Sequence, residues 1–239
     1  MNLGSSGQYV IRTRVFNETI EFFEKLQLKE MEKGETSNGT KYALLTDGRC
    51  NILVDESKEK DNYRGITYFN SSLQELIPHL ENLHINITQT KDEDIIKSVL
   101  FKTPDGISIE ILNEDHTPSP DPLGKSLVDF GKFGEYAIRV ESLDGQIEYW
   151  DDLGFKLLLK DEKWKYAILN DGVFTIGLHS HEMHDGPVLT YFDPKMIEKV
   201  KILKERGIEF ESYDSTNTED ESVAKSPDGQ MFYFFPGEI

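Results

Sequence analysis

Hydrophobic positions along this chain alternate between two periods. Residues 9–15 (YVIRTRV) read as a strand, and Ile20, Phe23 and Leu26 then recur on one helical face behind Asn17, a residue able to cap a helix. Strands are predicted near 41–46 and 50–54, on either side of Asp47-Gly48, a hairpin turn signal. The pattern then restarts. Residues 65–69 (GITYF) read as a strand, Ser72 and Glu75 form a capping box, and Leu73, Leu76, Ile77, Leu80 and Leu83 make one helical stripe. Strands are expected near 85–88, 95–102 and 107–112, with Pro104-Asp-Gly106 turning the last pair. Farther along, Asp144 is placed to cap a helix carrying Ile147, Trp150 and Leu153. Asp193-Pro194 is placed to start another, which Gly207 ends.

The restart is part of a larger duplication. Lys41-Tyr-Ala-Leu-Leu-Thr-Asp-Gly48 matches Lys165-Tyr-Ala-Ile-Leu-Asn-Asp-Gly172, and Thr67-Tyr-Phe69 matches Thr190-Tyr-Phe192. Thr103-Pro-Asp-Gly106 matches Ser226-Pro-Asp-Gly229, and Tyr9-Val-Ile-Arg12 matches Tyr136-Ala-Ile-Arg139. The order is the same and the offset nearly constant. Two homologous domains are therefore expected at 1–115 and 128–239, joined by a proline-rich linker at 116–127. Each domain reads as two β-α-β-β-β units, giving an α+β fold of four units. A helix covers one sheet face of each unit, so two units side by side would curl into a half-barrel cup for a small ligand.

Composition narrows the partners. The 239 residues carry 26 Lys+Arg against 44 Asp+Glu, a net charge of −18, and no basic face suited to nucleic acid or an anionic membrane surface is visible. The charge instead favours a neutral or cationic small molecule. Cys50 is the single cysteine, which removes disulfides and cysteine-based metal sites, and it is expected to be buried rather than nucleophilic. With no signal-peptide pattern and no apolar run approaching the roughly 20 residues of a membrane span, the expected compartment is the cytoplasm. No phosphate loop, dinucleotide fingerprint or nucleophile elbow occurs.

Candidate chemistry falls on the repeated strands. Gln8 and Arg12 recur as Glu135 and Arg139, and residues four apart on a strand share a face. Each guanidinium is a planar fork suited to a carboxylate ligand, or to a neighbouring acid of the chain itself. His179, His181 and His184 cluster just past the strand at 173–178, where imidazoles offer metal ligands or simply meet solvent. Trp164, Tyr166, Tyr191, Phe192 and Tyr233 are candidates to line an apolar cup.

The Thr103-Pro-Asp-Gly-Ile-Ser-Ile-Glu-Ile111 ending, the matching Ser226-Pro-Asp-Gly229 and the strand order resemble the vicinal oxygen chelate superfamily, which includes glyoxalase I, bleomycin-resistance proteins and extradiol dioxygenases. That resemblance implies up to four metal-ligand positions per cup. In the first half they fall on Gln8, near Leu53, near Gly65 and on Glu110; in the second, on Glu135, near Gly177, near Val188 and on Tyr233. Neither half offers the two His and one carboxylate of a dioxygenase iron. If units pair across domains, Glu110 and Glu135 would share one cup as cation ligands or as general acid and base, and Gln8 would face Tyr233. His179 is a substitute ligand by a slip of two residues. The resemblance thus implies a small-molecule binding protein with a degraded metal site, monomeric or homodimeric. Its rival is a divalent-metal lyase or isomerase resembling glyoxalase I, centred on Gln8, Glu110, Glu135 and His179.

Overall fold

A computed structural model describes residues 2–59, 63–115, 124–181, 186–212 and 221–238. Most of the linker stretch, 116–123, and His184 lie outside the described residues. The first half runs β1 (Ser6–Thr13), α1 (Phe16–Lys25), β2 (Lys29–Glu35), β3 (Lys41–Thr46), β4 (Asn51–Glu56), β5 (Tyr63–Phe69), α2 (Leu73–Asn82), β6 (Thr88–Asp92), β7 (Ile95–Lys102) and β8 (Ser108–Leu112). The second half repeats it: β9 (Lys132–Arg139), α3 (Leu143–Asp152), β10 (Lys156–Asp161), β11 (Tyr166–Asn170), β12 (Thr175–His179), β13 (Val188–Phe192), α4 (Met196–Glu205), β14 (Phe210–Ser212), β15 (Glu221–Lys225) and β16 (Met231–Phe235). The architecture is α+β, with two eight-stranded sheets ordered β2-β3-β4-β1-β5-β8-β7-β6 and β10-β11-β12-β9-β13-β16-β15-β14.

Units pair within each half, so each half makes its own cup. β1 lies parallel to β4 and antiparallel to β5, and β9 stands the same way between β12 and β13. Register aligns the duplicated positions. Gln8 stands opposite Thr67, which stands opposite Glu110; Glu135 stands opposite Thr190, which stands opposite Tyr233. Glu110 and Glu135 therefore sit on different sheets rather than in one cup, and Gln8 does not face Tyr233. Cross-domain pairing of units fails because the β1–β5 and β9–β13 ladders are already complete inside each half.

The pleat separates core from cup. On β1, Tyr9 and Ile11 enter the large shared core, as do Tyr136 and Ile138 on β9, while the alternate residues turn toward the cups. The helix-bearing faces of the two halves meet. Tyr9 stacks on Tyr136 at 4.7 Å between ring centroids, and Phe22 and Phe23 of α1 pack on Phe232 of β16. Each fully buried side chain of this size contributes roughly 1.5–3 kcal/mol of transfer free energy. The hairpin turns add polar links. Asp47 and Asp171 each accept two backbone N–H bonds on one carboxylate oxygen, from Arg49 and Cys50 and from Val173 and Phe174, and reach a tyrosine of the other half with the second oxygen.

Element boundaries differ from the sequence reading where local signals competed. α1 starts at Phe16 after Val15, not after an Asn17 cap; Ser142, not Asp144, caps α3; and Lys195, not Asp193, precedes α4. Asp193 instead accepts the Lys195 N–H in a turn before the helix. Ser72 does stand at the start of α2, without a side-chain cap bond. The strand expected at 85–88 lies at Thr88–Asp92. Cys50 is buried, one residue before β4 begins.

Candidate functional site

The two cups carry matching frameworks and different chemistry. In the first, Arg12 is neutralised by its own sheet. Its Nε lies 3.5 Å from Asp55 Oδ2 and its Nη2 3.4 Å from Glu110 Oε2, while the guanidinium sits 4.6 Å from the centroid of the Tyr63 ring. Burial pushes the Asp55 carboxyl up from the usual carboxylate range, and Arg12 opposes that. Tyr63 also occupies the side-chain space above Gly65, where a methyl group would collide with its phenol. Gln8 is buried on the same row as Glu110. This cup closes on itself through Arg12.

The second cup holds a cavity of about 610 Å³. Its floor and walls are Ala137, Ile168, Phe192, Tyr233 and Phe235, with Leu158, Leu159 and Trp164 along the mouth. A β-bulge between Leu157 and Leu159 on the edge strand β10 accounts for two consecutive leucines reaching one side. Glu135 is the buried acid of this cavity, only 5% exposed. Its Oε1 lies 2.7 Å from His179 Nε2, within hydrogen-bonding distance. His179 is the register equivalent of Asp55: both face the terminal arginine of the central strand. Its ring stacks on Tyr166 at 5.7 Å and meets His181 edge-on at 5.1 Å. Burial and the His179 ring hold the His181 imidazole below its ordinary value.

Gly177 explains where the Glu135 carboxylate rests. A methyl group at Gly177 would overlap both carboxylate oxygens, so the acid occupies the space that a side chain on β12 would fill. Thr190 holds the strand behind it, bonding the Glu135 backbone N–H and carbonyl through Oγ1 at 3.2 Å each.

Of the residues singled out by sequence, Glu135, His179, His181, Trp164, Tyr166, Phe192 and Tyr233 converge on this cavity. Arg139 is exposed at the end of β9 and does not line it, and Tyr191 turns the other way to Asp47. Arg49 was missed. It comes from the first half's hairpin turn, donates from Nη1 to the Phe133 carbonyl at 2.7 Å, and reaches the second half's cavity. Only the inter-half packing, which no sequence motif announces, brings it there.

The metal-ligand positions implied by the resemblance can be tested against these side chains. Among them the second cup presents one carboxylate and one phenol, with Gly177 and Val188 offering no donor; the first presents Gln8 and a Glu110 already engaged by Arg12. No cluster of three or more His, Cys, Asp or Glu suited to a metal occurs among the described residues. His179 and His181 line the cavity beside Glu135, outside those positions.

These two sheets, with four β-α-β-β-β units and a cup in each half, form a tandem fold shared with solved 2,3-dioxygenase structures. Solved structures with that fold cover nearly the whole chain. The 2,3-dioxygenase LapB from Pseudomonas sp. KL28 is 16% identical over 99% of this chain and 94% of its own, with a TM-score of 0.61. Homoprotocatechuate 2,3-dioxygenase from Arthrobacter globiformis is 15% identical over 98% and 80%, with a TM-score of 0.62. A catechol 2,3-dioxygenase is also 15% identical, over 98% and 88%, with a TM-score of 0.61. No family profile and no curated protein matches the sequence.

Proposed function

We propose that the second cup binds a small, mainly apolar molecule, neutral or cationic, and that it does so without a metal. The observation that carries this reading is the Glu135–His179 pair, 2.7 Å apart inside an apolar cavity, where two of the four ligand positions that the resemblance implies are Gly177 and Val188. A cavity of about 610 Å³ is of ligand size, with a few polar groups set among apolar walls. The first cup, neutralised by Arg12, serves as framework. One chain contains both halves, so a monomer suffices for the site.

The rival is a divalent-metal lyase or isomerase using Glu135 and His179, a reading favoured by the dioxygenase fold neighbours rather than by the donor set. Thermal-shift screening with small aromatic compounds, in chelator and again with added Mn, Ni, Zn or Mg, separates the two. Binding in chelator that Glu135→Gln weakens about tenfold supports the proposal. Stoichiometric metal bound through Glu135 overturns it.

A further inference from the structure

Resting on the reading that the second cup binds a small, mainly apolar molecule without a metal, we propose that this molecule is an arylalkylamine in its protonated form. Its ammonium N–H groups donate to Glu135, and its ring lies among the aromatic walls.

A carboxylate among apolar walls is costly unless an opposite charge or several donors compensate it. Among the described residues the buried acids are Asp47, Glu135 and Asp228. Asp228 is met by Arg64 at 3.0 Å and accepts hydroxyl bonds from Ser226 and Thr19. Asp47 accepts the backbone N–H groups of Arg49 and Cys50 and the Tyr191 phenol. The Glu135 carboxylate has one such contact, His179 Nε2 at 2.7 Å from Oε1, and an imidazole balances a carboxylate only in its protonated form. Its Oε2 rests in the space that a side chain at Gly177 would fill and takes no hydrogen bond from the described residues. The duplicated first half does without the charge, with Gln8 at the register position of Glu135. Glu135 is thus the buried acid with the fewest donors from its own chain, and it is the one that lines the cavity.

The surroundings suit an ammonium. Trp164, Tyr166, Phe192, Tyr233 and Phe235 line the same cavity, and the negative faces of aromatic rings attract a cation as well as packing on an apolar body. An ammonium brings N–H donors to Oε2 and forms a charge-assisted bond there, stronger than one from a neutral hydroxyl. Counting histidine as neutral, Glu135 and Glu238 outnumber Arg49 in the lining, and Arg49 Nη1 already donates to the Phe133 carbonyl at 2.7 Å. The chain's net charge of −18 draws cations from solution and repels anionic analogues. Leu158 and Leu159, exposed at the mouth, meet the hydrocarbon part of the ligand while its charge sits inside. Binding is reversible, and no covalent bond of the ligand changes.

The test titrates the full chain by isothermal calorimetry, in chelator at pH 7.5, with 2-naphthylmethylamine, its neutral isostere 2-naphthylmethanol and the anion 2-naphthoate. The amine is expected to bind about tenfold or more tighter than the alcohol, as for a desolvated charge pair, with naphthoate weakest. Glu135→Gln, which copies the residue of the first cup, is expected to weaken the amine about tenfold more than it weakens the alcohol, and Tyr233→Leu about threefold more. Melting temperatures without ligand show which variants fold, and the comparison of amine with alcohol on the unaltered chain holds whether they fold or not. An amine that binds no better than the alcohol overturns the proposal, as does a preference that survives in folded Glu135→Gln. In either case, binding of the alcohol or of other neutral aromatic compounds leaves the apolar-binding reading standing; failure of every apolar molecule, charged or neutral, overturns both.

Discussion

Tyr68 of the first half donates its phenolic proton to Asp171 of the second at 2.6 Å, and Tyr191 of the second donates to Asp47 of the first at 2.9 Å. The two bonds are related by the internal duplication, since the repeated Thr-Tyr-Phe strands provide the phenols and the repeated Asp-Gly turns the carboxylates. Burial and the facing carboxylate hold both phenols well above the ordinary tyrosine range, so they remain protonated donors. The duplicated motifs that reveal two halves are thus the ones that join them.

Removing either donor leaves a buried carboxylate without its phenol, Asp171 with its backbone bonds and Asp47 with its backbone bonds and the Cys50 thiol at 3.4 Å. Tyr68→Phe and Tyr191→Phe are each expected to lower unfolding free energy by about 1.5–3 kcal/mol, the range for hydrogen bonds to charged groups. Urea denaturation of both single variants and the double variant checks this. Losses under 0.5 kcal/mol, on the order of a neutral surface change, would refute a joining role.

Asp105 breaks the symmetry. Its counterpart Asp228 is met by Arg64 at 3.0 Å and by Ser226 and Thr19, whereas Asp105 Oδ2 is buried without a hydrogen-bond partner. Burial raises its carboxyl from 3.8 to about 6. The folded state therefore binds more protons between those values, and stability from this group is present below pH 3.8 and lost as pH rises through 6. Because the group is partly exposed, screening reduces the effect to about 1 kcal/mol. Asp105→Asn should stabilise the protein at pH 7.5 and make little difference at pH 4. A stability difference independent of pH would show that Asp105 is already ionised when folded.

Arg12→Ala separates the cups. It leaves Asp55 and Glu110 facing each other without their shared cation. Arg12 is itself 41% exposed, so the expected loss is about 1 kcal/mol, with ligand binding in the second cup unchanged. Calorimetric unfolding paired with a binding titration reads both; weakened binding would place the ligand in the first cup.

Much of the fold was legible because its buried strands and helices obey simple periods. Ile20, Phe23 and Leu26, or Leu73, Leu76, Ile77 and Leu80, are buried as their spacing requires. The edge strands were not legible. Lys29–Glu35 is almost wholly polar and exposed, and Lys156–Asp161 holds three successive leucines broken by a bulge, so neither shows a period of two. At the candidate site, the duplication picks out Glu135 and the resemblance picks out Tyr233 and, by a slip of two residues along β12, His179; all three line the cavity. Arg49 and the Gly177 vacancy depend on packing between strands and halves, which one-dimensional spacing does not carry.

The leucines at the mouth give a test of ligand polarity. Leu158 is 58% exposed, so Leu158→Glu should cost under 0.5 kcal/mol of stability, as for an ordinary surface change. It should still weaken an apolar ligand about tenfold or more, because it sets a charge where the ligand enters. Isothermal titration of wild type and variant decides it. Equal affinities would mean that the ligand does not pass or touch β10.

Gly177→Ala probes the centre of the site by a single methyl group. Gly177 lies inside β12 and is not among the positive-φ glycines, so alanine suits the backbone, yet its Cβ would overlap the Glu135 carboxylate. The acid must swing away from His179, at an overpacking cost of about 1–3 kcal/mol, and the ligand should lose its polar anchor. Gly172→Ala is the control. There φ is +92° with open space around the added methyl group, so it should cost about 1 kcal/mol through the backbone alone and leave binding intact. Thermal shift with a bound aromatic compound distinguishes the pair. If Gly177→Ala binds as tightly as Gly172→Ala, Glu135 in its present position is not what the ligand meets.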